Sequence, residues 1–485
     1  MQALNRTTAN VDAPPPERVL QFGGGNFLRG FADWILHEFN QKQSAALGVL
    51  VANNSDRQIY SDWQAQDGLY HVLTRGIRQG KTVDRAALIT NISRVISMDV
   101  DWDTFLRSAE QPELRYIISN TTEAGVRFSE SDRPGTNGPP DEFPGKLTAW
   151  LHRRFQHFSG DGERGCIVLP MELLVDNGAV LRGIVLRYAA HWNLEPAFAE
   201  WIRQHCTFCN TLVDRIVPGV GKKERTEVWE QIGYEDAAVT QGEPYHLLAI
   251  EAPAAVREEL PLDRIGLNII FTDDLTPYRR SKVAILNGAH TAMVPVGYLS
   301  GKETVRETVE DATTGAFVRE LLFEEVIPVL DLPGVDLEAF ADDILDRFRN
   351  PFIHHRLLSI SLNSVSKFRE RVLPSLLAYL DQRGAPPARM VLALAALVRF
   401  YRGDLHGEPI PLNDDDWAID FLGQAWEDYG AAEGADLLAA RVLGWERAWG
   451  RDLSDHGELA AELSGALQRI GREGMACAVK QTLKS

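Results

Sequence analysis

The chain has 485 residues, 45% of them hydrophobic and 24% charged, which is too long for one typical domain and suits a soluble globular protein that needs no disulfide support. Its 68 acidic against 50 basic residues give a formal charge of -18, which repels nucleic acid and anionic membrane surfaces. Four scattered cysteines make no disulfide framework, the N-terminus has no apolar signal core, and runs such as Met390 to Val398 reach about half of the ~18 residues a membrane span requires, so a cytoplasmic protein is expected.

After a Pro-rich lead-in, the run Arg18 to Phe22 meets Gly23, Gly24 and Gly25, followed by apolar residues at Phe27, Phe31, Trp34, Ile35 and Phe39. This pattern predicts a strand, a tight glycine turn and a helix. Apolar runs at Leu47–Ala52 and Tyr116–Ser119 predict two more strands, ending at Asn53-Asn54-Ser55-Asp56 and at Asn120-Thr121-Thr122-Glu123. The stretch 129–145, with Pro134, Gly135, Gly138, Pro139, Pro140 and Pro144, reads as a loop. Cys166–Pro170 and Leu267–Phe271 are further buried-strand candidates. Strands alternating with helical stretches imply a parallel sheet covered by helices, with ligands at the strand ends. From about Pro277 onward helical spacing dominates, for example at 388–402 and 431–449, and Asp455 with Glu458 predicts a capping box at the start of the last helix.

The glycine turn gives a pyrophosphate room at a helix N-terminus, where free N–H groups and the helix dipole stabilise negative charge. The dinucleotide fingerprint is incomplete, because its third position falls on Leu28 and Gly30 comes two residues late. Asn53 and Asn54 stand where a ribose-binding carboxylate is expected, with Asp56 the nearest acid, so these residues leave NAD or NADP open and also fit a simple turn.

The segment from Ser281 to His290 carries Lys282, Asn287 and His290 at helical angles of roughly 0, 140 and 80 degrees by the 3.6-residue repeat. All three can point into one cavity. Reducing a ketone takes a hydride and a proton, with donors that hold the developing alkoxide. A lysine can supply the proton where burial and cationic neighbours make it acidic enough, and Asn and His can hold the oxygen. The plainer alternative is a solvated lysine with a structural Asn and His. His205, Cys206 and Cys209 lack a second pair of ligands at zinc spacing, and no metal is expected. Asp214-Arg215 sits in an apolar run and needs a partner or a role. Arg347, Arg349, His354, His355, Arg356, Lys367, Arg369 and Arg371 form the most cationic region of the chain, from which Lys367 and one arginine are selected as carboxylate ligands.

With these residues in view, the chain resembles the mannitol dehydrogenase family of long-chain polyol dehydrogenases from about Arg18 to the C-terminus. The carriers are QFGGGNFLRGF (21–31), QDGLY (66–70), SNTTEAG (119–125), LVDRIV (212–217), DLTPYRRSKVAILNGAH (274–290) and RFRNPFIHH (347–355). The resemblance implies Lys282 as general acid/base, with Asn287 and His290 orienting the carbonyl. It implies NAD bound by Gln21, Phe22, Gly23, Gly25, Asn26 and Phe27, with Asn120, Thr121 and Glu123 on the nicotinamide side, and substrate held by Asp214 and Lys367. Mannitol dehydrogenases carry an Asn in the stretch matching Glu172-Leu173-Leu174, where this chain has Leu173. That departure disfavours mannitol and suits a keto sugar acid, for which the resemblance implies reversible conversion of tagaturonate to altronate with NADH.

The expected fold class is α/β. A lead-in over 1–17 precedes a Rossmann-like doubly wound domain over 18–275, and an all-helical substrate domain over 276–485 is expected to bring Lys282 over the cofactor. The expected partner is a small hexuronate or polyol, with no nucleic acid and no membrane, in a monomer or small homo-oligomer. Alternatives are sibling dehydrogenases acting on fructuronate, mannitol or mannitol 1-phosphate, a non-catalytic nucleotide sensor, and a metal-dependent sugar-acid epimerase or hydrolase.

Overall fold

A computed structural model describes residues 1–53, 58–134, 138–429 and 434–484. Asn54, Ser55 and Asp56, weighed above as ribose contacts or a turn, and Gly135 of the Pro-rich loop lie outside the described residues. The chain divides into two units, one of residues 1–75 and 82–275, the other of residues 76–81 and 276–485.

In chain order the main strands are β1 (Glu17–Phe22), β2 (Gly48–Asn53), β3 (Tyr70–Arg78), β4 (Lys81–Ile89), β5 (Ile92–Ser97), β6 (Tyr116–Ser119), β7 (Ile167–Pro170), β8 (Thr207–Phe208), β9 (Asn210–Asp214), β10 (Thr240–Gly242), β11 (Leu247–Glu251) and β12 (Ile269–Thr272). Six of them form a parallel sheet in the order β5-β2-β1-β6-β7-β8. Smaller sheets have the orders β9-β11-β12 and β10-β3-β4.

The central strands read as unbroken apolar runs because both faces of the sheet are covered. Alternate residues enter two separate cores. Val19, Val49, Val51, Ile118 and Leu169 join one with Trp34, Ile35 and Phe39 of the helix Trp34–Gln43. Leu20, Phe22, Leu50, Ile117 and Val168 join the other with Leu147, Trp150 and Leu151 of the helix Phe143–His157. This Rossmann-like parallel sheet, followed by a helical C-terminal region, agrees with the fold class expected from the sequence.

The second unit is built around the helix Ala388–Phe400, in which every residue from Met390 to Val398 is buried. A helix apolar on all sides is stable only when surrounded. Here it packs against the helices Gly288–Leu299 and Gly457–Glu473. The predicted capping box at Asp455 is absent: the helix Gly457–Glu473 starts after His456 without a side-chain cap, one residue too late for Asp455, and the last helix is Met475–Thr482. A capping box is present instead at Thr304 and Glu307.

Three helical runs leave the α pattern for i→i+5 turns at Arg29–Asp33, Lys282–Asn287 and Leu321–Val326. Such turns release carbonyls from regular pairing and recur at functional sites. At the first, side chains from elsewhere in the same unit donate to three of its carbonyls. Tyr70 donates its hydroxyl to the Arg29 carbonyl at 3.0 Å, Arg215 donates to Gly30 at 2.5 Å, and Asn91 donates to Asp33 at 3.2 Å.

Where β2 begins, Gly48 leaves no room for a side chain, since an added Cβ would lie 2.3 Å from the Pro15 carbonyl and 2.4 Å from that of Pro16. Backbone cannot yield as a flexible side chain can. Gly48→Ala is expected to lower unfolding free energy by about 2–3 kcal/mol, read from the urea midpoint; an unshifted midpoint would show that the lead-in is not fixed against the sheet.

Candidate active site

The glycine turn follows β1 at the carboxyl edge of the parallel sheet, the edge where ligands bind in open α/β folds. Gly23 has φ +94° and donates its N–H to the Ala52 carbonyl at 2.7 Å, a conformation that favours glycine. At Gly24 a Cβ would meet the Trp63 ring at 2.8 Å and the Tyr60 ring at 2.9 Å, whereas at Gly25 it would meet nothing within 4 Å. The turn is therefore packed tightly beneath and open at Gly25, where the helical run begins and the first N–H groups have no intrahelical partner. That is the cradle a pyrophosphate requires.

Gly30 performs the task of the missing third fingerprint glycine. A Cβ there would lie 2.6 Å from Val217 and 3.5 Å from Thr240. The helical run is thus packed closely against the segment around Val217, two residues later than the fingerprint glycine and inside the i→i+5 turn.

Buried polar groups support the turn. Arg29 donates to the Gly24 carbonyl and to Asn26 Oδ1, the latter at 2.7 Å, and burial pulls its guanidinium below its usual range. Gln21 donates to the Gly23 carbonyl at 3.1 Å and to Asp33 Oδ2 at 3.4 Å, and Tyr70 donates to the same Asp33 oxygen at 3.1 Å. Burial raises the Asp33 carboxyl to about 7, against smaller opposing effects of Gln21, Tyr70 and Arg29. Asp33 Oδ1 and Gln21 Oε1 are buried without hydrogen-bond partners, and a proton on the carboxyl turns one of two unsatisfied acceptors into a donor.

The residues expected around the cofactor separate by orientation. Gln21 and Phe22 turn inward, Phe22 edge-on to Phe105 and Phe143, and Phe27 stacks on Phe31 with centroids 4.8 Å apart. Gly25 and Asn26 are exposed. Asn53 is buried and donates to the Ile96 carbonyl at 2.8 Å, closing the end of β2. At the ends of β6 and β7, Asn120 donates to the Met171 carbonyl at 2.6 Å, the Thr121 N–H donates to Glu172 Oε1 at 3.0 Å, and Glu123 is exposed. Burial raises the Glu172 carboxyl. Sequence reasoning placed Glu172 only beside the Leu173 departure and missed its grip on this loop; a carboxylate inside an apolar stretch was the available signal.

Asp214, at the end of β9, is buried. Its neighbour Arg215 donates to the Gly30 and Glu243 carbonyls and stacks 4.1 Å over the Trp34 ring, which is the role the charged pair called for. Burial lowers this guanidinium to about 10. Cys206 and Cys209 are buried thiols whose ionisation burial suppresses, and among the described residues no group of three or more His, Cys, Asp or Glu is placed to hold a metal.

In the second unit one helical run extends through Thr276–Ser281, Lys282–Asn287 and Gly288–Leu299. Its middle is the i→i+5 turn, with the Gly288 N–H reaching back to the Val283 carbonyl. The 3.6-residue angles used for the sequence do not hold here. In a turn closed at five residues, positions five apart come nearly above one another, so Lys282 and Asn287 share a face more closely than an α-helix allows. All three residues are half-buried. The His290 ring lies 4.5 Å from Phe348 and 5.2 Å from His355, centroid to centroid. Gly288 lets the Arg371 carbonyl approach, an added Cβ lying 3.1 Å from that oxygen. Lys367 donates to the Ile360 carbonyl at 2.9 Å, and burial, with Arg371 adding to it, lowers its ammonium below the usual lysine range.

A family model described as the mannitol dehydrogenase Rossmann domain matches residues 17–264, and one described as the mannitol dehydrogenase C-terminal domain matches residues 274–471. The altronate oxidoreductase of Yersinia enterocolitica serotype O:8 is 43% identical over 485 residues, 99% of each chain. That of Escherichia coli O1:K1 is 43% identical over 482 residues, again 99% of each. Among solved structures, mannitol 2-dehydrogenase from Pseudomonas fluorescens, in a ternary complex with NAD and D-mannitol, is 23% identical with a TM-score of 0.64 and 100% coverage of both chains. Substrate-free D-sorbitol dehydrogenase is 21% identical with a TM-score of 0.77, covering 99% of this chain and 100% of that one. At these identities the two structures establish the fold.

The Asp33 carboxyl generates a test. Folded, it keeps its proton to about pH 7, whereas an unfolded chain releases it near pH 4. Folding therefore takes up a proton in this window, and the contribution present below about pH 4 is lost as pH rises toward 7, at about 1.4 kcal/mol per pH unit. Asp33→Asn should remove that slope from plots of urea-unfolding free energy against pH, and parallel plots would mean that Asp33 is already ionised in the folded chain.

Proposed function

Because the chain belongs to the mannitol dehydrogenase family and is an oxidoreductase acting on CH–OH groups, we propose that it uses NAD to interconvert the keto sugar acid tagaturonate and its alcohol altronate. The observation that carries this reading is the end-to-end likeness to the altronate oxidoreductases. The nicotinamide cofactor supplies the hydride. Everything else falls to side chains of this chain.

Gly23, Gly25, Asn26 and Phe27 hold the pyrophosphate in this reading, through the open side of the turn and the unpaired N–H groups of the helix start. Gln21 and Phe22 act from beneath, one holding the Gly23 carbonyl and the other packing the turn onto the core. Asn120, Thr121 and Glu123 border the nicotinamide, with Glu172 fixing the Thr121 backbone. Lys282 delivers the proton to the carbonyl oxygen in reduction and takes it back in oxidation, so one residue serves both directions. Asn287 and His290 donate to that oxygen and stabilise the charge it gains. Lys367 keeps two ammonium protons beyond the one given to Ile360, enough to hold a sugar-acid carboxylate, and Asp214 takes a substrate hydroxyl. The reaction as proposed needs no metal.

The test follows NADH absorbance with tagaturonate, fructuronate and fructose, each with and without EDTA. Fast, chelator-insensitive oxidation with tagaturonate is expected. Preference for another ketose would keep the mechanism and change the substrate, and silence across the panel would sink the reading. Two substitutions separate the roles. Lys282→Ala should lower turnover about 100- to 10,000-fold while NADH still binds. Gly24→Ala, pressing on the Trp63 and Tyr60 rings, should weaken NADH binding about tenfold. An unchanged rate in Lys282→Ala would remove that residue from the mechanism.

A further inference from the structure

Beside the turn that carries Lys282, the second unit holds a cleft of about 290 Å³. Its apolar walls include Val283 and Ala284 of the i→i+5 turn, and its polar groups include Arg279, Arg280, Arg371 and Glu370. Lys282, Asn287 and His290 do not line it. Three guanidinium groups against one carboxylate make a local cationic excess in a chain whose formal charge is -18. The carboxylate is further offset by Arg369, 3.4 Å away. A volume at the low end for ligand pockets suits a small organic acid.

We propose that this cleft binds a small organic anion, an apolar body bearing one carboxylate, and that occupancy stiffens the turn carrying Lys282. Guanidinium groups at the rim give a carboxylate charge-assisted hydrogen bonds, while the apolar walls take up the rest of the ligand. Transmission has two short routes. Val283 and Ala284 are at once wall residues of the cleft and the residues after Lys282, so a ligand packed against them restricts the turn directly. Arg371 also lines the cleft, and its carbonyl sits where a Cβ added to Gly288 would lie 3.1 Å away. The binding stands on the cleft alone; its consequence for turnover rests on Lys282 acting as proposed above.

Titration calorimetry on the full chain, using benzoate as the anion with an apolar body, tests the binding without any turnover. Benzoate is expected to bind at millimolar concentration, and inorganic phosphate, which lacks the apolar body, more weakly. Arg280→Glu alters the charge at an exposed position, and Ala378→Phe fills the cleft while leaving its charges in place. Each should weaken benzoate binding about tenfold or more. Hydrogen exchange over Lys282–Gly288 should slow with benzoate in the unaltered chain and not in either variant. Absence of binding, affinity in either variant unchanged from the unaltered chain, or benzoate competing directly with tagaturonate in the NADH assay would overturn the proposal, the last by making the cleft part of the substrate site.

Discussion

The glycine turn depends on side chains that hold the backbone of the irregular helical turn behind it. At Arg29–Asp33 the helical run closes one residue late, and three carbonyls of this turn accept side-chain hydrogen bonds from Tyr70, Arg215 and Asn91. These donors come from three distant parts of the chain, so the turn exists only once the unit has folded. A net hydrogen bond of this kind contributes about 0.5–1.5 kcal/mol, so the three together fix the turn against the rest of the unit. The constraint also explains the charges placed there. Arg215 is held in an apolar setting because its guanidinium can reach two carbonyls and an aromatic face at once.

Much of the fold was legible because its strands obey one simple rule. β1, β2, β6 and β7 are covered on both faces and so carry largely apolar runs, a pattern that stands out from the sequence around them. The pair β3 and β4 escaped notice because the exposed residues of β4 are largely polar or charged, so the segment resembles a surface loop when read alone. The supports of the glycine turn were illegible for a different reason. Gln21, Asp33, Tyr70 and Arg29 meet only through tertiary packing, and nothing local distinguishes Asp33 from a solvated acid on a helix. Asp214-Arg215 could be singled out as a pair that needed a role, but its partners at Gly30 and Glu243 could not be named.

The residues proposed to carry the chemistry show the same division. Lys282, Asn287 and His290 were found by type and spacing, and the mismatch between their spacing and a 3.6-residue period was itself a signal that went unused. Positions five apart face one way only if the helix widens, as it does between Ser281 and Gly288. The late Gly30 was a second signal of the same kind, a fingerprint glycine displaced by an irregular turn. Both sites of proposed chemistry thus rest on helices that depart from the regular pattern.

The helix Ala388–Phe400 has a consequence for how the protein is made. Its run from Met390 to Val398 is buried on every side by elements on both sides of it in the chain, including the helix Gly457–Glu473, which leaves the ribosome later. Until that helix arrives, a proline-free apolar segment is exposed, of the kind that associates between nascent chains. Arg389 precedes the run and Arg399 closes it, and in the folded unit they engage Glu320, Glu324 and Glu325 on one side and the Asp404 carbonyl on the other. Charged residues that flank an apolar run in this way oppose its association with copies of itself before the core is complete.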